Sequence, residues 1–316
     1  MLNDISTTFN KKTRPGLSDR NFDVPLLKAI IYDQIKIYNR QYCIKVYLKD
    51  KITKYDGSDK VYSFVDQELK SVLLNEANLQ FSKALYNWSI YKKLVSKGLW
   101  SWACVTLYYA QFYCINGLLN IQGNAFSRPK LLTNIGKEKE TVFHVYTEDF
   151  AAGKFIFEMR NYKPHEDVWR QYYNVYKNYR YKISSYNELY QYDIDNQFAI
   201  LEIRHRANYD TAFLLEDFIE YLLPTNELED FALKMQPNIF ETSWTEDEFL
   251  KLEYIASLRI KLLFDILHEI LGISSHLETI RKDLYLERAS MLNNLKDDTP
   301  VKDCFLNWID ENNIII

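Results

Sequence analysis

The sequence predicts a mainly α-helical fold, a helical bundle with a small β-hairpin insertion and extra C-terminal helices. Three observations support this prediction. The 316 residues include only 8 glycines and 7 prolines, so few tight turns are expected. No charged residue or histidine occurs from Leu99 through Ser127, and the segment before it repeats its apolar residues at helical spacing. With 47% hydrophobic residues, the chain can bury a sizeable core.

Charge and cysteine usage narrow the function classes. The 39 Lys and Arg residues against 43 Asp and Glu give a net charge of -4, so any contact with RNA would need a local basic patch. The four cysteines contain no CxxC pair, which argues against a disulfide framework or a zinc site. We therefore expect an intracellular, cytoplasmic protein with reduced thiols, no metal and no cofactor.

Four regions are expected along the chain. The first has charges but no apolar run, the second mixes helix and strand signals, the third carries the helical bundle, and the fourth carries its own helix start signals. These are a mobile N-terminal arm at 1–22, an α/β extension at 23–77, a helical bundle at 78–224 with an insertion around 138–190, and a C-terminal helical region at 225–316.

Two helices joined by Lys97-Gly98 are expected to form an antiparallel pair. The first repeats apolar residues at helical spacing and ends at Gly98. The uncharged second segment is long enough to cross a bilayer, but polar residues recur in it and three tyrosines lie at its middle rather than at its ends. It is therefore predicted to be the buried central helix of the bundle, with no membrane contact and with Tyr108 or Tyr109 turning a hydroxyl toward a cleft.

The other elements follow from local signals. Residues 24–38 fit a helix, and residues 41–48 and 60–65 resemble a small hairpin. A loop is expected at 123–130. The remaining predictions are a hairpin of 141–146 and 154–159, a tyrosine-rich helix at 168–183, a helix at 198–223 capped by Asp195 or Asn196 and ended by Pro224, and three C-terminal helices started by Thr245 with Glu248, Ser275 with Glu278, and Thr299-Pro300, the first stopped by Gly272.

Phosphate loops, dinucleotide fingerprints, nucleophile elbows and metal-ligand spacings are absent from the sequence. Two clusters that carry the residue types of phosphate chemistry remain as candidate sites. The first, RNYKPHED at 160–167, and the second, EIRHRANYD at 202–210, combine arginine with histidine. Metal-independent RNA cleavage needs a base or acid and a fixed cation, which histidine and arginine supply. The alternative is that neither cluster has a functional role. The first would then be ordinary surface charge, and the second would be a helix whose arginines pair with Glu202 and Asp210.

The order of these features resembles the HEPN superfamily. The stretch FSKALYNWSIYKKLVSKGLW at 81–100, followed by YYAQF at 108–112 and INGLL at 115–119, is similar to its first helix pair, and EIRHRANYD is similar to its R..ADYD signature. The resemblance covers about residues 78–224. It implies a four- or five-helix up-and-down bundle and, for many members, metal-independent endoribonuclease activity from Arg-x4-6-His motifs brought together in a homodimer.

Carried over by position, the resemblance makes Arg204 the family arginine. Asn208 and Tyr209 stand where some HEPN families have Asp-Tyr and the active ones have histidine, so the usual acid/base is missing there. Arg160 and His165 satisfy Arg-x4-His ahead of the family position.

Two functions therefore remain open. The first is a toxin or anti-phage endoribonuclease, acting on RNA such as tRNA as a homodimer restrained by a regulatory or antitoxin protein. The second is a non-catalytic HEPN-like module that binds a partner protein or a nucleotide in a defence or toxin–antitoxin system. The candidate catalytic residues are Arg160, His165, Arg204, His205 and Tyr209, and the candidate RNA or phosphate ligands are Lys163, Arg206 and Asn208. If His165 and Arg204 serve one phosphate, they should lie within about one nucleotide's reach.

Overall fold

The computed structural model describes residues 42–52, 61–133, 136–149, 152–159, 163–176, 186–196, 199–209, 246–271 and 301. This part of the chain is 69% helical, with seven helices and a small sheet, so the prediction of a mainly α fold is confirmed. The helices are α1 (Ile44–Lys51), α2 (Glu68–Val95), α3 (Trp100–Ile121), α4 (Pro164–Tyr176), α5 (Asn187–Asp195), α6 (Ala199–Tyr209) and α7 (Glu246–Leu271). The strands are β1 (Val61–Val65), β2 (Asn124–Ser127), β3 (Lys130–Leu132), β4 (Glu138–Glu140), β5 (Phe143–Asp149) and β6 (Lys154–Met159).

The helix pair α2 and α3 lies at the centre of the fold. A tight turn joins the two, in which the Leu99 N–H donates to the Leu94 carbonyl (3.0 Å) and Gly98 adopts a φ of 70°. Only glycine reaches this backbone region without strain, so the turn ends α2 where the sequence predicted. Most of α3 is buried, as expected from its lack of charge. Among the described residues, no helix has the length and apolar character needed to span a membrane.

The predicted hairpin of β5 and β6 is confirmed, but it belongs to a larger sheet. Antiparallel strands follow the order β1-β6-β5-β2, and apolar pairs such as Val145 with Phe157 face the core. A separate two-stranded sheet joins β3 to β4. Residues 124–127, predicted as loop, form strand β2, because Asn124 to Ser127 pair with residues 143–146 across the sheet.

The predicted hairpin of 41–48 with 60–65 is wrong. Residues 44–51 form α1, since Ile44, Tyr47 and Leu48 recur at helical spacing and are all buried on one face. Residues 61–65 are a strand, as predicted, but they pair with β6 about ninety residues later in the chain rather than with 41–48. The prediction was therefore right that residues 61–65 form a strand and wrong about the strand with which they pair.

Helix α2 starts at Glu68 and so crosses the boundary predicted between residues 77 and 78. Helix α7 packs against α2, α3 and α5, and one hydrophobic cluster includes residues from α1 through α7. Gly117 allows the close approach of α3 to α7, because a Cβ there would lie 2.7 Å from Leu263 Cδ2. The described extension, bundle and C-terminal helix therefore share a single core.

The predicted helix start after Asn196 is confirmed, with α6 beginning at Ala199, and α4 covers the first part of the tyrosine-rich helix. Helix α7 begins directly after Thr245 and is described as far as Leu271. The predicted elements at 1–22, 24–38, 177–183, 210–223 and 272–300 lie outside the described residues.

A buried charged network connects the four helices α3, α4, α5 and α7. Arg259 of α7, only 1% exposed, is ion-paired with Asp193 of α5 and donates a hydrogen bond to Gln111 of α3. Its guanidinium also lies over the Trp169 ring of α4, 5.2 Å from the centroid. The Tyr172 hydroxyl donates to the second Asp193 oxygen (2.8 Å). Burial opposes the charge of Arg259, but Asp193 outweighs this effect and raises the pKa of the guanidinium.

Candidate functional site

The first turn of α4 fixes the position of His165. Pro164 is suited to the first helical position, because it lacks the N–H that would have no partner there. The Asp167 carboxylate accepts a hydrogen bond from the Lys163 N–H (2.7 Å), which closes the helix start. Glu166 and Asp167 also complement the positive end of the helix dipole. His165 therefore extends from the first turn of a capped helix.

His165 packs into the aromatic face of α3. Its Nδ1 lies 2.7 Å from the Tyr108 hydroxyl, within hydrogen-bond distance. Its ring centroid is 4.7 Å from that of Phe112 and 6.2 Å from that of Tyr109. Tyr108 is fully buried, whereas His165, Tyr109 and Phe112 are partly exposed. The hydrogen bond to Tyr108 occupies Nδ1 and leaves Nε2 as the nitrogen for a ligand.

Arg204 reaches the same tyrosines from α6. The neighbouring Ile203 is buried at 1% exposure, which anchors α6 on the core and leaves Arg204 at its rim. The guanidinium carbon of Arg204 lies 5.2 Å from the ring centroid of Tyr108 and 5.8 Å from that of Tyr109. Its Nη2 is 3.5 Å from the Tyr109 hydroxyl. Cation–π attraction therefore holds this arginine over the Tyr-Tyr pair.

The site favours a neutral histidine. Burial lowers the pKa of His165 to about 4, and the positive charges of Arg204 and, more weakly, Arg128 lower it in the same direction. Burial raises the pKa of the Tyr108 hydroxyl, so this group also stays neutral. At neutral pH the arrangement consists of one cation beside an uncharged imidazole and an uncharged phenol.

The structure thus brings two of the predicted site residues, His165 and Arg204, against one tyrosine within a single chain. It does not bring Lys163 or His205 to them. Lys163 is 83% exposed and lies 3.5 Å from the Glu166 carboxylate, and the exposed His205 follows Arg204 on a different face of α6. Asn208 donates to the Arg204 carbonyl (2.9 Å), as expected for residues one turn apart.

Three predicted residues lie partly or wholly outside the described part of the chain. Arg206 and Tyr209 belong to α6, but their side chains lie outside the described part, and Arg160 lies outside the described residues altogether. Two contributors were not predicted. Phe112 could have been found because it lies one helical turn after Tyr108, whereas Arg128 had no local signal. Of the histidines outside the two clusters, the two that the structure describes have ring contacts, His144 with Phe126 (4.5 Å) and His268 with Phe264 (5.6 Å).

The described residues contain no group of three or more His, Cys, Asp or Glu side chains placed to hold a metal ion. No family model, curated protein or solved structure matches the chain. The geometry of the site and the motifs at 81–119 and 202–210 are therefore the basis for inferring a function.

Proposed function

We propose that the protein is a HEPN-type, metal-independent endoribonuclease in which His165 and Arg204 act on one phosphate. The observation that supports this most is their shared contact with Tyr108, Arg204 over its ring and His165 at its hydroxyl. The two residues come from separate helices and from the two motif clusters, so their meeting is a property of the fold and not of the local sequence.

The proposed chemistry needs only groups present at this site. The proposed base is the tautomer of neutral His165 that carries its proton on Nδ1: this N–H is donated to the Tyr108 oxygen, and Nε2 accepts the proton of a ribose 2′-hydroxyl. The 2′-oxygen attacks phosphorus, a 2′-O–P bond forms and the P–O5′ bond breaks. Arg204 stabilises the negative charge of the phosphorane. The imidazolium, a stronger acid than an ordinary imidazolium because its pKa is lowered to about 4, returns the proton to the leaving 5′-oxygen. The products are a 2′,3′-cyclic phosphate and a free 5′-hydroxyl.

The wider proposal follows the resemblance. We place the protein in the cytoplasm as a toxin or anti-phage effector of the abortive-infection kind, a homodimer that cleaves RNA such as tRNA and is restrained by a regulatory or antitoxin protein. Arg160, one residue after the end of β6, is proposed as a second phosphate ligand.

A second function keeps the same site without cleavage. Tyr209 replaces the histidine of the active families, and cation–π contacts alone are enough to explain why Arg204 is held where it is. These observations favour a non-catalytic module that binds an anionic group of a nucleotide or partner protein through Arg204.

RNA cleavage in the presence of EDTA tests the nuclease. Total RNA and tRNA are incubated with the wild type and with His165→Ala, Arg204→Ala and Arg160→Ala, and the product termini are identified. We expect cleavage to fall at least a hundredfold in His165→Ala and Arg204→Ala, the range of a lost base or charge stabiliser. Arg170→Gln is the matched control, because Arg170 lies on α4 but is paired with Glu166 and Asp167. A folded wild type that cleaves nothing, or variants that cleave like it, would exclude the nuclease and leave the binding module.

A further inference from the structure

A strip of aromatic rings continues outward from the site along α3. Phe112 and Tyr113 are neighbours in sequence and lie about one helical turn after Tyr109, and all three are partly exposed. The ring centroids of Tyr109 and Tyr113 are 6.1 Å apart, and those of Phe112 and Tyr113 are 6.0 Å apart. The strip is therefore continuous with His165, which contacts Phe112.

A cation lies at each end of this aromatic strip. Arg204 covers Tyr109 at one end, and Lys83 Nζ lies 5.5 Å from the Tyr113 centroid at the other. Within the part of the chain that the structure describes, neither cation has a carboxylate within ion-pair distance. Lys92 of α2 and Arg170 of α4, by contrast, are ion-paired with Glu253 and Glu166. Among the described residues, the strip thus combines partly exposed aromatic rings with two cations that have no carboxylate partner.

We infer that the aromatic strip binds an unpaired, single-stranded stretch of RNA, whose bases stack on Tyr109 and Tyr113 while Lys83 and Arg204 contact successive phosphates. Aromatic faces flanked by cations are the usual means of binding single strands, because every base has a π-face and every nucleotide a phosphate. A duplex keeps its bases inside the helix and offers no face to these rings. This inference extends the proposed function, since it defines its substrate as single-stranded at the cleaved position.

Binding to a non-cleavable oligonucleotide tests the strip apart from catalysis. The probe is a fluorescent single strand of about ten nucleotides with 2′-fluoro groups, compared with the same sequence in a duplex by fluorescence anisotropy. We expect the single strand to bind at least tenfold more tightly than the duplex. Tyr113→Leu should weaken binding about tenfold, the range for one stacked base, whereas Tyr113→Phe keeps the ring and should bind like the wild type. Lys83→Gln should reduce the salt dependence of binding.

Tyr254→Leu is the matched control, because Tyr254 is an exposed tyrosine of α7 outside the strip. Equal affinity for duplex and single strand, or full affinity in Tyr113→Leu, would overturn the inference. Absence of any oligonucleotide binding would overturn it too and would point to a protein partner. Failure of the nuclease is a separate result: Tyr113-dependent binding without cleavage of ordinary RNA would reject the catalysis and keep the strip.

Discussion

At the scale of single residues, the environment of His165 determines what the site can do. An ordinary imidazole is half protonated near pH 6.5. Burial and the charges of two arginines lower the pKa of His165 to about 4, so this imidazole stays neutral until the pH approaches 4. It is thus a base at neutral pH, and acid catalysis is open to it only after it has received a proton. Cleavage by this site should therefore be level across neutral pH and fall only as the pH approaches 4.

Removing the charge of Arg204 should raise the pKa of His165. We expect Arg204→Gln to move the pKa of His165 from about 4 toward its usual value. Arg128→Gln should move this pKa less, because the charge of Arg204 has the larger effect on it. Burial keeps it below 6.5 in both variants. The measurement is an NMR titration of the five histidines, with the His165 signal assigned by its loss in His165→Gln. A His165 pKa unchanged by Arg204→Gln would contradict the geometry.

The same shift connects stability to pH. Between about pH 4 and 6.5 the unfolded chain binds a proton at His165 that the folded protein does not. The free energy of unfolding therefore falls as the pH drops through this window, by about 1 to 3 kcal/mol from this residue. The loss of stability that His165 causes at low pH should be absent in His165→Gln. It should be smaller in Arg204→Gln, because the pKa values of His165 in the folded and unfolded states are then closer together.

At the scale of elements, the helices and strands that depend on interactions between residues close in sequence were predicted correctly. Helix α3 and the β5–β6 hairpin depend on composition and a nearby turn, and both were predicted. Helix α1 was mistaken for a strand because Ile44, Val46 and Tyr47 have high strand propensity. Contacts far along the chain override it: the Ile44 N–H donates to Glu76 (3.3 Å) and Asn75 donates to the Tyr42 carbonyl (2.6 Å). Strand β2 was missed for the same reason, since its partners begin at Phe143.

The candidate site shows the same division. The residue types and the helical face of Arg204 and Asn208 followed from spacing alone. The meeting of His165 with Arg204 did not, because it depends on how α4 and α6 both pack on α3. Tyr108 and Tyr109 lay in a motif recognisable in the sequence, whereas the position of Arg128 near the imidazole has no counterpart in any local pattern.

The turn between α2 and α3 offers a test at this scale. We expect Gly98→Ala to lower the free energy of unfolding by about 1 to 2 kcal/mol, because alanine is strained at a φ of 70°. A Cβ at this position would meet nothing within 4 Å, so the effect isolates the backbone. Urea unfolding followed by circular dichroism measures it, and Lys97→Ala, at the adjacent exposed position, is the control. Equal stability of the two variants would show that the turn does not require glycine.

At the scale of the whole molecule, the pair of Arg259 and Asp193 joins helices that are distant in sequence. Its neighbours Gln111 and Trp169 belong to the helices that carry Tyr108 and His165, so the network lies directly behind the candidate site. A buried ion pair contributes little net stability compared with apolar side chains of the same volume, but leaving one partner alone is costly. The network should therefore affect stability mainly when it is broken from one side.

Asp193→Asn breaks it from one side, since the amide keeps the shape but leaves the buried Arg259 without a countercharge. We expect it to lower the free energy of unfolding by about 3 to 5 kcal/mol in urea titrations. Adding Arg259→Met removes the isolated charge, so the double variant should be more stable than Asp193→Asn alone, which gives a coupling energy from the cycle. Lys261→Gln, which removes a partly exposed pair with Asp265, is the control and should change stability by less than about 1 kcal/mol. If the two single substitutions simply add, the buried pair does not act as a unit and the four helices are held together by apolar packing alone.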